Sequence, residues 1–275
     1  GGYIASEADT CGTPTARWRH KGIVNIPRVT SPYGKEIRSL FEARAGYSWV
    51  GWDASSLEAC IEAHYTHPYD PDYAMSLTEG DSSKGTDVHS RNMLKLGLES
   101  RDKAKTFKYA ITYGAQAASL AEQIGVPRSQ GEMLFDEFWR QNEGLRELRD
   151  QLLAEWKYYN KKYIIGLDGR LISTRSEHSL INTKFQSGGA IVMKHAMLIA
   201  NKEIKAFAEA QGIEAYGLIR YHDEEQWETN APSIAQRQII GEIGCDSITK
   251  AGKYLKLNVP LGGDYKIGLN WADTH

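Results

Sequence analysis

Residues 101–115, RDKAKTFKYAITYGA, place Arg101, Lys105, Tyr109 and Tyr113 at four-residue intervals. Because an α-helix turns by about 100° per residue, this spacing predicts a helix that carries all four side chains along one broad face. Two interpretations are open at this point. Most charge runs form a solvated helical face, whereas cations beside aromatic rings suit a ligand with a triphosphate and a stacked base.

An acidic segment precedes this helix in the sequence. Residues 47–56, YSWVGWDASS, have apolar strand character up to Asp53, and residues 56–66, SLEACIEAHYT, have helical spacing. Taken alone, an N-cap explains the acids, with Asp53 or Ser55 as the cap and Glu58 in the first helical turn.

A second acidic segment follows the helix. Residues 220–228, RYHDEEQWE, predict a β-hairpin with Asp223 and Glu224 at its tip, and an exposed polar turn would also account for it. Metal chemistry offers a reason to combine the segments, because Mg²⁺ takes one or two carboxylates plus substrate phosphates. Asp53 and Asp223 are therefore candidates to bridge two such ions about 3.5 to 4 Å apart, as in polymerases.

Composition limits the classes of protein that this chain can belong to. With 275 residues, 41% hydrophobic and 25% charged, it resembles a globular protein rather than a disordered or membrane one. The formal net charge of −2 gives no general basis for nucleic-acid binding, so such a function must rest on local clusters. Cys11, Cys60 and Cys245 are far apart, which argues against a disulfide framework or structural zinc site and indicates a reducing compartment.

The remaining pattern predicts a mixed α+β protein with short strands among long helices. Residues 1–45 are rich in turn signals and are expected to be mostly loop. Helical patterns cover residues 87–124, with breaks near Gly97 and Gly114, and residues 129–160, 182–210 and 233–254. Asp168-Gly169 predicts a tight hairpin, and further strand character closes the chain.

Three motifs occur in order: DASSLE (53–58), RDKAKTFKYAITYGA (101–115) and YHDE (221–224). They resemble the three polymerase motifs of family A DNA polymerases, the DNA polymerase I type, in particular the replicative polymerases of short-tailed bacteriophages. The resemblance covers almost the whole chain. It implies an α+β fold, the palm of a polymerase right hand with an antiparallel sheet, plus a helical fingers subdomain. Residues 1–85 would form an N-terminal segment and the first part of the palm, residues 86–165 mainly the fingers, and residues 166–275 the rest of the palm.

The same resemblance implies template-directed DNA synthesis, with dNTPs and primer-template DNA as substrates and two Mg²⁺ ions as cofactors. Asp53, Asp223 and the carbonyl of Ala54 would bind the metals, with Glu224 as a supporting acid. Arg101, Lys105 and His89 would grip the triphosphate, and Lys105 would also protonate pyrophosphate. Tyr109 and Glu58 would exclude a ribose 2′-hydroxyl, and Tyr113 would occupy the template-base position until the fingers close. The DNA-contacting residues would be Arg17, Arg170, His178, Asn182, Gln186 and His222.

Some positions depart from the family pattern. Glu58 is followed by Ala59 and Cys60, where the family usually has an arginine two residues after the glutamate. Ala110 and Ala16 stand where the family usually has glycine, and their added methyl groups restrict the local backbone. Two alternatives stay open: a single-subunit RNA polymerase-like enzyme, and a noncatalytic DNA-binding subunit, although intact Asp53, Lys105 and Asp223 argue against the second.

The chain starts where the thumb of such a polymerase should be ending, and nothing in it resembles the exonuclease acids. We therefore expect the thumb and exonuclease domain to be absent and proofreading to be lacking. The chain would be the C-terminal part of a split or truncated polymerase. Its partner would be a separate N-terminal chain that carries the thumb, with or without the exonuclease domain. Its setting would be the cytoplasm of a phage-infected bacterium, with no membrane partner.

Overall fold

The computed structural model describes residues 2, 4–23 and 25–275. The chain divides into two compact units, which we name the sheet unit (Gly1–Leu57 and Gly189–His275) and the helical unit (Glu58–Gly188). The predicted boundaries near residues 85 and 165 concern functional subdomains of a polymerase, and that assignment stays a prediction. No helix in the described part of the chain is long and apolar enough to cross a bilayer.

The sheet unit contains a four-stranded antiparallel sheet with the strand order β6-β7-β3-β8. Its strands are β3 (Ser48–Ala54), β6 (Ala215–Tyr221), β7 (Glu224–Thr229) and β8 (Gly263–Gly268). A separate two-stranded pair is formed by β1 (Glu7–Asp9) and β2 (Arg19–Lys21). The helices are α1 (Gly34–Ser39), α10 (Ile234–Tyr254), α11 (Trp271–Thr274) and part of α9 (Leu180–Gln211). The α+β class with an antiparallel sheet is confirmed, and the described residues among the first 45 are mostly loop, as expected.

Helix α10 packs against β3 and β8 because small residues face the sheet. A Cβ atom added to Gly244 would lie 2.3 Å from the ring of Trp52, and one added to Gly241 would lie 2.3 Å from the ring of Tyr265. Trp52 is only 1% exposed and stacks on Trp227 with ring centroids 5.8 Å apart. The two glycines therefore allow the helix to cover large aromatic side chains.

The strand register decides which acids lie together. Asp53 pairs with Glu224 of β7 and with Asp264 of β8, so these three side chains project from the same face of the sheet. Glu225 pairs with Trp52 and projects from the opposite face, because successive strand residues alternate. Glu225 is 3% exposed and is therefore a buried strand residue.

The helical unit contains α2 (Leu57–Thr66) from Glu58 onward, a series of short helices and one hairpin. The helices are α3 (Pro71–Thr78), α4 (Val88–Leu96), α5 (Arg101–Thr112), α6 (Ala117–Ile124), α7 (Arg128–Gln141) and α8 (Glu143–Tyr158). The hairpin, β4 (Tyr163–Ile165) and β5 (Leu171–Ser173), lies around Asp168-Gly169 as predicted. Phe107 of α5 and Phe138 of α7 are fully buried, with ring centroids 6.0 Å apart, and form part of the core.

One helix prediction in this unit was wrong. Residues 129–160 form two helices rather than one, and the break falls at Asn142. This residue has non-helical angles (φ −115°, ψ 71°), and its side-chain amide donates to the carbonyl of Phe138 at 2.9 Å. An asparagine that bonds locally to the backbone competes with the helical hydrogen bonds and favours a helix end.

Candidate active site

Two exposed carboxylates meet where β3 adjoins the β6–β7 turn. Asp53 is the penultimate residue of β3, and Asp223 lies in the turn. The backbone amide of Ala54 donates to the carbonyl of Asp223 at 3.0 Å, which ties the two segments together. Because Asp53 lies inside the strand, the N-cap interpretation of this residue was wrong.

The charge around Asp53 is strongly negative. Partial burial raises the pKa of Asp53, and the negative charges of Asp223, Glu224 and Asp264 raise this pKa further. Neighbouring carboxylates that repel each other favour either a bound proton or a bound cation. The cluster is therefore electrostatically suited to a cation.

Glu224 is buried and its carboxylate is well bonded. It accepts hydrogen bonds from Trp271 Nε1 at 2.5 Å and Gln226 Nε2 at 2.6 Å, and His275 Nδ1 lies 2.8 Å from its Oε2. Burial works to raise the pKa of Glu224, but hydrogen bonds from His275 and Trp271 outweigh burial and lower it. This acid is held in place beside the exposed pair, and its predicted supporting role stays a prediction.

Asp264 is an acid that the sequence analysis missed. It faces Asp53 across the β3–β8 ladder, and its carboxylate accepts a hydrogen bond from the hydroxyl of Ser55 at 2.9 Å. The local sequence around Asp264 predicted a strand but not its pairing partner. The local sequence therefore could not predict the long-range strand register that places Asp264 beside Asp53.

The donor set fits a hard divalent cation. Across the described ranges, no group of three or more His, Cys, Asp or Glu side chains is arranged to hold a metal ion. This face offers the exposed carboxylates of Asp53 and Asp223 beside the backbone of Ala54, while the exposed carboxylate of Asp264 is bonded to Ser55. Mg²⁺ commonly takes one or two carboxylates and completes its shell with substrate phosphates and water, so this set is sufficient.

Two predicted DNA-contacting residues come together beside the acids. The guanidinium Nη2 of Arg17 lies 3.2 Å from Nδ1 of His222. His222 occupies the left-handed region (φ 58°) in the β6–β7 turn, and its ring centroid is 4.3 Å from that of Tyr221. Burial lowers the pKa of His222, and the charge of Arg17 adds to this effect.

In the helical unit, the predicted face of α5 is present and begins with an ion pair. Arg101 Nη2 lies 3.0 Å from Asp87 Oδ1, and Asp87 also caps α4 by accepting from the backbone amides of His89 and Ser90. Burial opposes ionisation of Asp87, but hydrogen bonds from Arg101, Ser90 and the two amides lower its pKa to about 2. The sequence analysis missed Asp87, although an aspartate directly before a helix is a recognisable cap signal.

The rest of this face borders an open depression of about 750 Å³ lined by Lys105, Tyr109, Tyr113 and neighbours from α5 and α6. The rings of Tyr109 and Tyr113 have centroids 6.5 Å apart. The hydroxyl of Tyr113 donates to Glu58 Oε2 at 2.9 Å. The hydrogen bond from Tyr113 thus brings Glu58 of the DASSLE motif to the motif that contains Lys105, Tyr109 and Tyr113.

His89 lies behind this face and is only 8% exposed. Its ring centroid is 5.6 Å from that of Tyr109, and its buried Nδ1 has no hydrogen-bond partner among the described residues. Burial is the main cause that lowers the pKa of His89 to about 4, and the positive charges of Lys108 and Arg101 contribute to the same shift. The imidazole is therefore neutral near pH 7 and offers one N–H donor.

The other predicted DNA-contacting residues lie in the helical unit. Arg170 pairs with Asp168 in the β4–β5 turn, with Nη2 to Oδ2 at 2.7 Å. His178 is exposed in the short 3-10 helix Glu177–Ser179. Its backbone carbonyl lies close to Gly114, because a Cβ atom added to Gly114 would be 2.4 Å from the carbonyl oxygen. Asn182 and Gln186 are half-buried one turn apart in α9, and so share a helix face.

Residues 2–273 match the sequence model of DNA polymerase family A. The chain belongs to DNA polymerase family A. Similar curated proteins are the DNA-directed DNA polymerases of Escherichia phage Phieco32 (30% identity, 100% of this chain and 56% of that protein) and Escherichia phage T7 (30%, 100% and 41%). DNA polymerase I of Chloroflexus aurantiacus is 26% identical over 99% of this chain and 29% of its own length. The chain thus spans about half the length of the phage relatives or less.

A solved structure supports the family A fold. The polymerase domain of Pol1 from M. smegmatis, in complex with DNA primer-template and dNTP, superimposes with a TM-score of 0.81. The match covers 98% of this chain and 48% of that chain, at 21% sequence identity, so it bears on the fold alone. Family A membership favours a DNA polymerase ancestry over the single-subunit RNA polymerase alternative.

Proposed function

We propose that this chain carries the catalytic site of a family A DNA polymerase and transfers nucleotides from dNTPs to the 3′-hydroxyl of a primer. The observation that carries the proposal is that the exposed acids Asp53 and Asp223 lie close enough for the charge of Asp223 to raise the pKa of Asp53. The two exposed carboxylates belong to segments far apart in the sequence that the Ala54–Asp223 backbone hydrogen bond holds together, and they stand in an acidic neighbourhood.

Asp53, Asp223 and the carbonyl of Ala54 would hold two divalent cations, for which we propose Mg²⁺. When bound, these ions would acidify the primer hydroxyl and stabilise the charge on the leaving oxygen. The chain itself contributes rigidity, because Asp53 is fixed in a strand that is paired on both sides. Glu224, held by Trp271 and His275, would keep further negative charge beneath the pair.

The α5 face would bind the triphosphate. Arg101 is already paired with Asp87, so part of its charge is neutralised. Lys105 is exposed, and no ion pair involves it within the described part of the chain. Lys105 would therefore present the larger share of free positive charge, and it is also the candidate to protonate pyrophosphate. Neutral His89 would add one hydrogen bond.

Sugar selection is assigned to Glu58 and Tyr109. The hydrogen bond from Tyr113 fixes the carboxylate of Glu58, and the Tyr113 ring lies against that of Tyr109. A wall built from these side chains would leave no room for a ribose 2′-hydroxyl. In this scheme Tyr113 occupies the template-base position until the fingers close, a gating step that also breaks or remakes its bond to Glu58.

Duplex contacts are assigned to the polar residues outside the two clusters. Arg17 and His222 lie together beside Asp223 and would contact the primer end and the minor groove. Minor-groove acceptors common to all base pairs allow pair shape to be checked without reading sequence. The template and duplex contacts in the helical unit would come from Arg170, His178, Asn182 and Gln186.

Single-nucleotide primer extension tests this proposal. We expect Mg²⁺-dependent, template-directed addition of dNTPs by the wild-type chain and a large loss of kcat/KM for Lys105→Met. The matched control is Lys103→Met, because Lys103 lies on the same helix but pairs with Glu99 outside the depression. The proposal fails if the wild type adds no nucleotide, or if both lysine variants behave alike.

The separate N-terminal chain expected from the sequence stays a prediction. Phosphate contacts supply much of the nonspecific affinity for DNA, so a thumb added in trans would raise DNA affinity and processivity. Equal processivity with and without a candidate thumb fragment would remove the reason to expect such a partner.

A further inference from the structure

A buried ionic contact joins α2, α3 and α5 within the helical unit. The ammonium of Lys108 donates to Glu62 Oε2, and the two side chains are only 3% and 2% exposed. The hydroxyl of Tyr73 donates to the other carboxylate oxygen, Oε1, at 2.5 Å. Burial and the adjacent charge of Glu62 raise the pKa of Tyr73 well above its ordinary value, so this phenol remains a donor.

Stability alone is a weak reason for this arrangement. Removing two charges from water costs several kcal/mol per ion, and well-packed apolar residues of similar volume are often as stable or more stable. An ion pair differs from an apolar contact in being directional. It fixes the rotation and axial position of one helix against another, which apolar surfaces alone do less strictly.

The pair stands directly behind the residues assigned to sugar selection. Glu62 is four residues after Glu58 on α2, so both carboxylates project toward the same side of that helix. Lys108 immediately precedes Tyr109 on α5, and its Nζ lies 5.2 Å from the centroid of the Tyr109 ring. Helix α2 is thus joined to α5 by Glu62–Lys108 in the interior and to the residue that caps the end of α5 by Glu58–Tyr113 toward the surface.

We propose that Glu62 and Lys108 are positioning residues that set the side chains of Glu58 and Tyr109 and thereby the discrimination between deoxyribonucleoside and ribonucleoside triphosphates. This inference rests on the proposed function. Glu62 and Lys108 touch no substrate in this scheme and act only through the geometry of their neighbours. Tyr73 supports this arrangement by donating a hydrogen bond to the second carboxylate oxygen of Glu62.

The test replaces the whole buried polar group at once. The triple variant Glu62→Leu, Tyr73→Phe, Lys108→Met leaves no unpaired buried charge or hydroxyl, so we expect it to fold with a melting temperature near that of wild type. Its ratio of kcat/KM for a dNTP over the matching rNTP should fall about tenfold, equivalent to ~1.4 kcal/mol. The matched control, Glu99→Gln with Lys103→Met, removes an exposed ion pair from the α5 region and should leave the ratio unchanged.

A folded triple variant with the wild-type ratio would overturn the inference. If the triple variant does not fold, Tyr73→Phe decides, because it deletes one hydrogen bond and should lower the ratio about threefold. An unchanged ratio in Tyr73→Phe, with a lowered melting temperature, would mean a structural role only. If the wild-type chain extends no primer, the proposed function and this inference both fail. If the wild type is active but the variants keep its ratio of kcat/KM for dNTP over rNTP, only this inference fails.

Discussion

The buried carboxyl of Glu225 makes the stability of the protein depend on pH in a predictable direction. Glu225 lies on the α10 side of the sheet, 3% exposed, where Oε2 accepts from Trp227 Nε1 at 3.1 Å and lies 3.8 Å from Arg220 Nε. Burial raises the pKa of Glu225 from an ordinary 4.5 to about 7, and the weaker influences of Arg220 and Trp227 do not offset it.

The sign follows from which state holds the proton. Between about pH 4.5 and pH 7 the unfolded chain has lost this proton while the folded chain keeps it, so folding takes up a proton and stability falls as pH rises. The interval of about 2.5 pH units, at ~1.36 kcal/mol per unit, corresponds to about 3 kcal/mol. Above pH 7 the free energy of unfolding has fallen by this full amount.

The perturbation is Glu225→Gln, which resembles the protonated acid in shape and still accepts from Trp227. Urea denaturation at several pH values from 4.5 to 8 should show the wild type losing about 3 kcal/mol relative to the variant as pH rises. Contributions from other acids, including Asp53, are common to both proteins and cancel. Glu209→Gln, an exposed glutamate in α9, is the control and should follow wild type. A difference between wild type and Glu225→Gln that stays constant with pH would refute the reasoning.

Two further predictions concern stability. Gly244→Ala should lower the free energy of unfolding by about 1–3 kcal/mol, because its Cβ would meet the Trp52 ring. In the control, Gly262→Ala, the added Cβ meets nothing within 4 Å, so the free energy of unfolding should change by less than about 0.5 kcal/mol. Thermal denaturation compares the two variants. Asp87→Asn keeps a helix cap but loses the ion pair with Arg101, so it should lower the free energy of unfolding by about 2 kcal/mol at pH 7. Because the pKa of Asp87 is lowered from 3.8 to about 2, this difference should vanish as pH falls through that interval in acid denaturation, and a pH-independent difference would contradict it.

Local spacing predicted the elements of the fold well, and long-range pairing was beyond it. The four-residue spacing from Arg101 to Tyr113 gave the helix and its exposed face, since both depend on residues close in the chain. The contact of Glu62 with Lys108, 46 residues apart, carries no local signal. The same limit hid Asp264, whose place beside Asp53 depends on the register of β8.

The face on which a strand residue lies was also decided by register. RYHDEEQWE predicted the hairpin, but not that Glu224 would project beside Asp53 while Glu225 entered the α10 side. A one-residue shift in pairing would exchange the two acids. Residue roles such as those of Arg17 and His222 came from the family resemblance, and the structure adds that these two side chains contact each other.

The most direct measurement for the central claim is Mg²⁺-dependent primer extension by the wild-type chain and by Asp223→Asn, with affinity for primer-template DNA measured in parallel. The account predicts template-directed dNTP addition by wild type and a loss of at least about a thousandfold in Asp223→Asn, equivalent to ~4 kcal/mol of transition-state stabilisation, with DNA affinity nearly unchanged. Undiminished extension by Asp223→Asn would contradict the assignment of the metal site.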